Sequence, residues 1–289
     1  MKFIKAKKPP EDLHDIRPGK YDMSNAAYHS MKWILSSSGA KTIARGDEIR
    51  FNWERTHPQP PTDAMRLGTL WHAYILEGGK GIEWIDAPDY RTKAAREARD
   101  AAQARGLIPT LVKEKETLEE VLASVMANPD AAALLNPFEG EAEGSYITEF
   151  KLNNGKKTLV RTRPDWITIQ DGKLKIVDYK TTDSAKKSRF IRSIVDLGYH
   201  QQAAWYEETL TAAFKCKRSQ VEFWFIAQEK TPPYTTGVYR LDDAAIVEGE
   251  KLNHAAINDF ERWERDGWPT HYQTDTLSLP NWGYSKEVG

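Results

Sequence analysis

Hydrophobic and polar residues change their spacing several times along the chain, and each change marks an element. Ser24 stands before a run in which Tyr28, Met31 and Trp33 recur at helical intervals, and Ser36-Ser37-Ser38-Gly39 reads as a second helix start with Ala40 to Ala44 helical. Pro58 to Pro61 reads as a loop. From Thr62, the residues Met65, Leu67, Leu70, Ala73, Tyr74 and Leu76 keep one apolar face until Gly78-Gly79, with His72 inside that helix. Segment 91–127, rich in Ala, Glu, Lys and Arg, predicts two helices broken near Gly106–Pro109. Asn128-Pro129-Asp130 opens a short helix through Leu135.

Beyond residue 143 the period shortens towards two. Strands are predicted over Gly144–Leu152, Thr158–Ile169 and Leu174–Lys180, with turns at Asn153-Asn154-Gly155 and Asp171-Gly172. Asp183-Ser184 is placed to cap a helix reaching Asp196, and Tyr199–Phe214 forms another. Val221–Ala227 and Thr236–Leu241 are expected to pair around Pro232-Pro233, before a long amphipathic helix over Asp242–Glu264 and a tail with Leu279-Pro280-Asn281-Trp282. Residues 1–20, polar and proline-bearing, are expected to be an extended arm. Helices, a mainly antiparallel meander and helices again predict an α/β fold, a sheet flanked by helices. The 289 residues suit one domain: a mainly helical part over 21–140, then a sheet core and closing helices over 141–289.

Composition narrows the function classes. A net charge of −1 offers no global basic field for coating nucleic acid, though a locally basic channel stays open. The single Cys216 excludes an intrachain disulfide and any cysteine-ligated zinc or iron–sulfur centre. No apolar stretch approaches a membrane span, and Met1-Lys2-Phe3-Ile4-Lys5 lacks a signal-peptide core, so a reducing, cytoplasmic setting is expected.

Candidate chemistry concentrates in Arg163-Pro164-Asp165 and Ile176-Val177-Asp178-Tyr179-Lys180-Thr181-Thr182. On a strand, Asp178 and Lys180 share one face and Tyr179 takes the other. Asp165, on the preceding strand, reaches the same face across the hairpin. Two carboxylates and an ammonium suit a hard divalent cation and an activated water, as phosphodiester hydrolysis requires. The plain alternative is a pair of aspartates on a solvated edge. An interior strand running straight into charge is costly, however, unless the charges pair or hold a metal. Glu143 is a third carboxylate or an exposed neighbour of Glu139 and Glu141. His72 is a ligand or a satisfied core histidine. Gln202 and Tyr206, four apart, share a helix face that either packs or offers an amide and a stacking ring to DNA. Lys186, Lys187, Arg189 and Arg192 form a solvated helix face or the path of a phosphate backbone. Arg91, Lys93, Arg96, Arg99 and Arg105 form a second basic set, interleaved with Glu97 and Asp100.

Several separated blocks together resemble one family. They are Tyr28-His29 with Ser36-Ser37-Ser38-Gly39, Leu67-Gly68-Thr69-Leu70-Trp71-His72-Ala73 with Leu76-Glu77, and Glu143-Gly144-Ser145-Tyr146. Arg163-Pro164-Asp165, Val177-Asp178-Tyr179-Lys180-Thr181-Thr182 and Gly198-Tyr199-His200-Gln201-Gln202-Ala203-Ala204-Trp205-Tyr206 continue the series. Phe225-Ile226-Ala227-Gln228-Glu229-Lys230 and Leu279-Pro280-Asn281-Trp282 complete it. In this order they resemble the PD-(D/E)XK nuclease superfamily, and within it the RecE-type exonucleases of phages and prophages.

The resemblance implies a restriction-endonuclease-like core, a mixed sheet flanked by helices with a helical N-terminal region. It implies Mg²⁺ or Mn²⁺ held by Asp165, Asp178, the Tyr179 backbone carbonyl and His72, with Glu143 at an early acidic position and Lys180 activating water. Gln202 and Tyr206 match a Gln-x-x-x-Tyr motif that holds DNA, and Arg163, Lys186 and Lys187 join them as expected DNA contacts. The four-cysteine iron–sulfur cluster of some relatives has no ligands here, and segment 80–140 matches only in helical character. The family further implies 5′-to-3′ degradation of linear double-stranded DNA to 3′ single-stranded tails, a single-strand annealing recombinase as partner, a homo-oligomeric ring and a bacterial host cytoplasm. Two other readings stay open: the same fold acting on single-stranded ends or as an endonuclease, and a non-catalytic DNA-binding scaffold for recombination.

Overall fold

A computed structural model describes residues 1–57 and 62–280, so the loop expected at Pro58–Pro61 and the tail residues Asn281-Trp282 lie outside the described residues. In chain order the first elements are β1 (Gly19–Tyr21), α1 (Asn25–Ser30), β2 (Leu35–Ser36), α2 (Ser37–Ala44), α3 (Glu48–Thr56) and α4 (Asp63–Leu76). Side-chain caps fix two of these starts: Ser24 Oγ accepts from Ala27 N–H, and Thr62 Oγ1 from Met65 N–H. The N-terminal arm is docked rather than loose. Lys7 bridges to Tyr21, β1 pairs with the sheet, and Ile16 is buried.

Next come β3 (Ile82–Ile85), α5 (Lys93–Ala104), β4 (Ile108–Leu111), α6 (Lys115–Ala127) and α7 (Pro129–Leu134). The break expected near Gly106–Pro109 is therefore a strand, β4, pairing in parallel with β3. The remaining elements are β5 (Gly140–Ala142), β6 (Ser145–Lys151), β7 (Lys157–Thr162), β8 (Trp166–Gln170), β9 (Lys173–Thr182), α8 (Lys187–Asp196), α9 (Tyr199–Phe214), β10 (Val221–Glu229), β11 (Thr236–Tyr239) and α10 (Asp243–Asp266). Asp183-Ser184 does not cap α8. Lys186 occupies that position, while Ser184 and Ala185 are held by the Glu229 carboxylate.

The expected strand over Thr158–Ile169 is two strands in two sheets. β7 lies in a four-stranded sheet of order β1-β6-β7-β2, and β8 in a five-stranded sheet of order β11-β10-β9-β8-β5. Pro164 has no N–H for a ladder and confines Arg163 to extended backbone, so the chain leaves one sheet and enters the other there. Pairing with β6 ends at Thr162 opposite Tyr146, and pairing with β9 begins at Trp166 opposite Val177. Asp165 sits in the gap.

The meander is also less antiparallel than expected, because β9 and β10 run parallel and are joined through α8 and α9. Both faces of the five-stranded sheet are covered, which is why Ile176 to Tyr179 are buried on both faces of β9. Leu174 and Ile176 pack towards Phe190, Ala203 and Trp205 of α8 and α9, in a cluster that continues to Ile257 and Phe260 of α10. Val177 and Tyr179 pack towards Trp71 of α4 and Leu118 and Val121 of α6. Gly249 permits the close crossing of α10 on α9, since a Cβ there would lie 2.4 Å from the His200 carbonyl oxygen. The result is a mixed α/β core with its charged strand end opening beside α2 and α4. Among the described residues no helix is long and apolar enough to cross a membrane.

Candidate active site

The end of β9 carries the site. Asp178 continues the face of Leu174 and Ile176, and the helices that bury those residues also bury it completely. Its Oδ2 pairs with Lys180 Nζ at 2.6 Å, and its Oδ1 accepts from Gln202 Nε2 at 2.6 Å. Tyr179 turns its ring the other way, where the hydroxyl bonds to buried Gln228 and the Gln228 amide donates to the Val121 carbonyl at 2.7 Å. Because β8 begins only at Trp166, the Tyr179 N–H has no partner on that side of β9 except Asp165 Oδ2, to which it donates at 3.0 Å. The carbonyl of an extended residue leaves the same edge as its N–H, so it too faces the Asp165 side.

Asp165 also faces α4. His72 Nε2 lies 3.4 Å from Asp165 Oδ1 and 3.6 Å from Glu143 Oε1, while His72 Nδ1 lies 3.9 Å from Glu77 Oε1. Ligand atoms of His72, Glu77 and Glu143 come within 4.8 Å of one another, the spacing of a shared cation. Glu143 does not open a strand. It turns the corner between β5 and β6 with φ +55°, a left-handed conformation unusual for glutamate, and its N–H reaches the Asp165 carbonyl at 3.3 Å.

Electrostatics divides these groups. Burial would push the Asp165 carboxyl up, yet His72, Lys180 and the Tyr179 N–H hold it below the usual range. Burial raises Asp178 above that range even with Lys180 opposed, and Asp165 adds to the rise. Burial disfavours the charge on Lys180, but Asp178 and Asp165 more than reverse this and raise it. Burial likewise favours a neutral His72 ring, and the carboxylates of Asp165, Glu143 and Glu77 overcome it and raise the ring to about 9. Glu143 is pushed up to about 7 by burial, against His72 and with Asp165 reinforcing the rise. Both shifts favour the protonated forms of His72 and Glu143, whose ligand atoms face the same space as those of Glu77.

Of the five residues expected to contact DNA, Arg163, Gln202 and Tyr206 line the cleft and Lys186 and Lys187 lie outside it. The Arg163 guanidinium is a strut: it donates to Ser145 Oγ at 2.7 and 3.0 Å and to the Met23 carbonyl at 3.0 Å, lies over the Tyr28 ring, and stands 3.6 Å from Glu143. Gln202 and Tyr206 are buried, although both border the cleft. Gln202 holds Asp178, and the Tyr206 hydroxyl donates to the Arg163 carbonyl at 3.1 Å, fixing the chain just before Pro164. Lys186 and Lys187 are exposed at the start of α8 and do not line the cleft, whereas Leu197 at the other end of that helix does. Residues missed from sequence are Glu77, whose block was matched without a role, and Lys41 of α2, whose ammonium reaches Gln202 Oε1 at 3.2 Å. Lys41 is four residues after Ser37, on one helix face, and that spacing was the available signal.

Except for the fully buried Asp178, the charged groups of the site line an open cleft of about 1280 Å³ bounded by α1, α2, α4, Asp165 and the end of β9. The donor set is mostly carboxylate oxygen with one imidazole, which fits a hard divalent cation better than a thiophilic metal.

The model of a family described as a PDDEXK-like domain of unknown function (DUF3799) matches residues 35–272. Among curated proteins no sequence matches. Of solved structures, an inferred exonuclease from Eubacterium rectale superposes with a TM-score of 0.58 at 15% identity, covering 89% of this chain and 96% of its own. An alkaline exonuclease from Laribacter hongkongensis gives a TM-score of 0.26 at 14% identity over 66% of this chain and 92% of its own, too low to bear on the fold.

Proposed function

The chain belongs to the PDDEXK-like family that matches it, and on that footing we propose that it is a divalent-metal-dependent deoxyribonuclease acting from the ends of linear duplex DNA. The observation that carries this reading is the convergence, from four separate segments, of Asp165, Lys180, His72 and Glu143 on one open cleft, with Asp178 buried directly behind Lys180. A structural ion-pair network does not need three carboxylates around one histidine. A centre that exchanges protons for a cation does.

Asp165, Asp178 and the Tyr179 carbonyl would hold one cation, with His72, Glu143 and Glu77 extending the donor set outward. Bound there, a divalent cation supplies Lewis-acid polarisation of the phosphate and lowers the pKa of water. The protein's own contribution is orientation. Lys180, charged and anchored on Asp178, presents its ammonium to the attacking water and to charge developing on the phosphate oxygens. The Gln202 amide keeps Asp178 in one rotamer. The 5′-to-3′ polarity, the 3′ single-stranded product, the annealing recombinase and the ring assembly rest on the resemblance of the sequence blocks to RecE-type enzymes.

Linear duplex labelled at either the 5′ or the 3′ end, incubated with Mg²⁺ or Mn²⁺, tests this directly. Release of 5′-terminal nucleotides by the wild type and none by Lys180→Ala is the expected result. Wild-type protein that cleaves neither duplex nor single-stranded DNA with either metal would overturn the enzymatic reading and leave a DNA-binding scaffold.

A further inference from the structure

Lys41 lines the cleft, and the nuclease reading leaves it unused. It comes from α2, far in sequence from the metal-facing residues, and is half-buried. Among the described residues it makes no ion pair, and its ammonium donates to Gln202 Oε1 at 3.2 Å. The other end of the same carboxamide donates from Nε2 to Asp178 Oδ1 at 2.6 Å. An ammonium is donor only and a carboxylate acceptor only. A carboxamide between them therefore has one satisfied orientation, because the flipped amide would face carbonyl to carboxylate and NH₂ to ammonium. The surroundings are shaped for this contact. Gly198 begins α9 at φ +63°, and a Cβ there would stand 3.3 Å from Lys41 Cδ. The Tyr199 ring lies beneath both Lys41, at 5.6 Å, and Lys180, at 5.0 Å.

We propose that Lys41 is a positioning residue that sets the Gln202 carboxamide and, through it, the orientation of Asp178 towards the metal. This rests on the nuclease reading of the site, and it gives Gln202 a task other than holding DNA.

The test compares Lys41→Met, Lys41→Arg, Gln202→Met and the double variant Lys41→Met/Gln202→Met. In metal-free protein, the Gln202 side-chain amide protons are followed by NMR. The wild type is expected to show one amide proton shifted far downfield by its short bond to Asp178, and Lys41→Met to lose that shift. Mn²⁺ affinity measured by calorimetry should weaken by about tenfold in Lys41→Met, the low end for loss of a group that orients a ligand, and be largely restored in Lys41→Arg. The double variant should be no weaker than Gln202→Met alone, since both changes break one relay. DNA affinity in Ca²⁺ should stay within about twofold of wild type, because an orienting group acts on the ligand and not on the backbone phosphates.

Additive losses in the double variant, or an unmoved amide resonance in Lys41→Met, would overturn the proposal. So would a loss confined to DNA affinity with the salt slope reduced by about 0.9, the mark of a direct phosphate contact. If the wild type cleaves no DNA, the amide resonance and the Mn²⁺ affinity still decide the relay, so the two failures are distinguishable.

Discussion

The two flanks of the cleft are built on opposite plans. On the β9 flank, Asp178 is fully buried, with one oxygen on Lys180 and the other on Gln202, both at 2.6 Å. On the α4 flank, His72, Glu77, Glu143 and Asp165 face one another at 3.4 to 3.9 Å, beyond good hydrogen-bond distance, and are partly exposed. The first flank is neutralised within the protein by the Lys180 ion pair, although Asp178 Oδ2 makes no hydrogen bond. The second is an excess of negative charge held together by borrowed protons, so its stability should depend on pH and on cations while that of the first depends on packing.

The largest effect should come from Asp178→Asn, which breaks the neutralised flank. It leaves the Lys180 ammonium buried without its counter-charge, and removing one partner of such a pair costs roughly 3–5 kcal/mol. Cleavage should be lost and the denaturant midpoint should fall together. An unchanged midpoint would show that the flank is not built on that pair. Lys180→Met, which removes the ammonium but leaves a carboxyl that can take up a proton, should lower kcat by about 10²–10³ with a smaller loss of stability, read by single-turnover cleavage beside the melt.

Glu143→Gln sharpens the contrast from the other side. It should leave the metal-free protein as stable as wild type or more so, while weakening Mn²⁺ binding by about 10–100-fold. A melting temperature that falls in the metal-free variant would contradict the picture of a crowded acidic flank.

The metal-free wild type should also lose stability as pH rises. Glu143 and His72 both have folded values above their ordinary ones, about 7 and about 9. Each contributes stability that is full below its unfolded value and lost as pH climbs through the folded value. The melting temperature should therefore drift down between about pH 5 and 9, and saturating Mn²⁺ should flatten that slope. A slope unaffected by metal would show that cation and protons do not compete. The smallest effect is expected at Lys187→Ala, on an exposed side chain outside the cleft lining. A lost phosphate contact would lower the salt slope of DNA binding by about 0.9, and no change in slope would place the DNA path away from the start of α8.

The sequence patterns located most helices and the late strands because their apolar periods are long and their caps sit beside them. Ser24, Thr62 and Asp242 each accept from a backbone N–H of the first turn that follows. The patterns failed where a short run belongs to a different partner than its neighbour. Thr158–Ile169 looks like one strand by alternation, and β4 looks like a helix break, because strand pairing is not encoded in the strand itself. The surroundings of the basic side chains were not legible for a related reason. A guanidinium on an edge and one locked on Ser145, Met23 and Tyr28 have the same sequence, and only packing separates them.

Asp165, Asp178, Lys180, His72 and Glu143 were named from residue type and block order, since a strand that runs from Ile176-Val177 into charge carries its own physical contradiction. The sequence alone thus supplied these candidates, together with most of the helices around the sheet, α3 excepted, and the family it resembles. Which side chains touch was decided by tertiary structure: the jump between sheets at Pro164 that sets Asp165 opposite the end of β9, the left-handed turn that delivers Glu143, and the crossing of α2 on α9 that brings Lys41 to Gln202. Local preferences fix where an element begins and which face is apolar. The meeting of residues 161 positions apart depends on how buried faces close on one another, and no local segment contains that information.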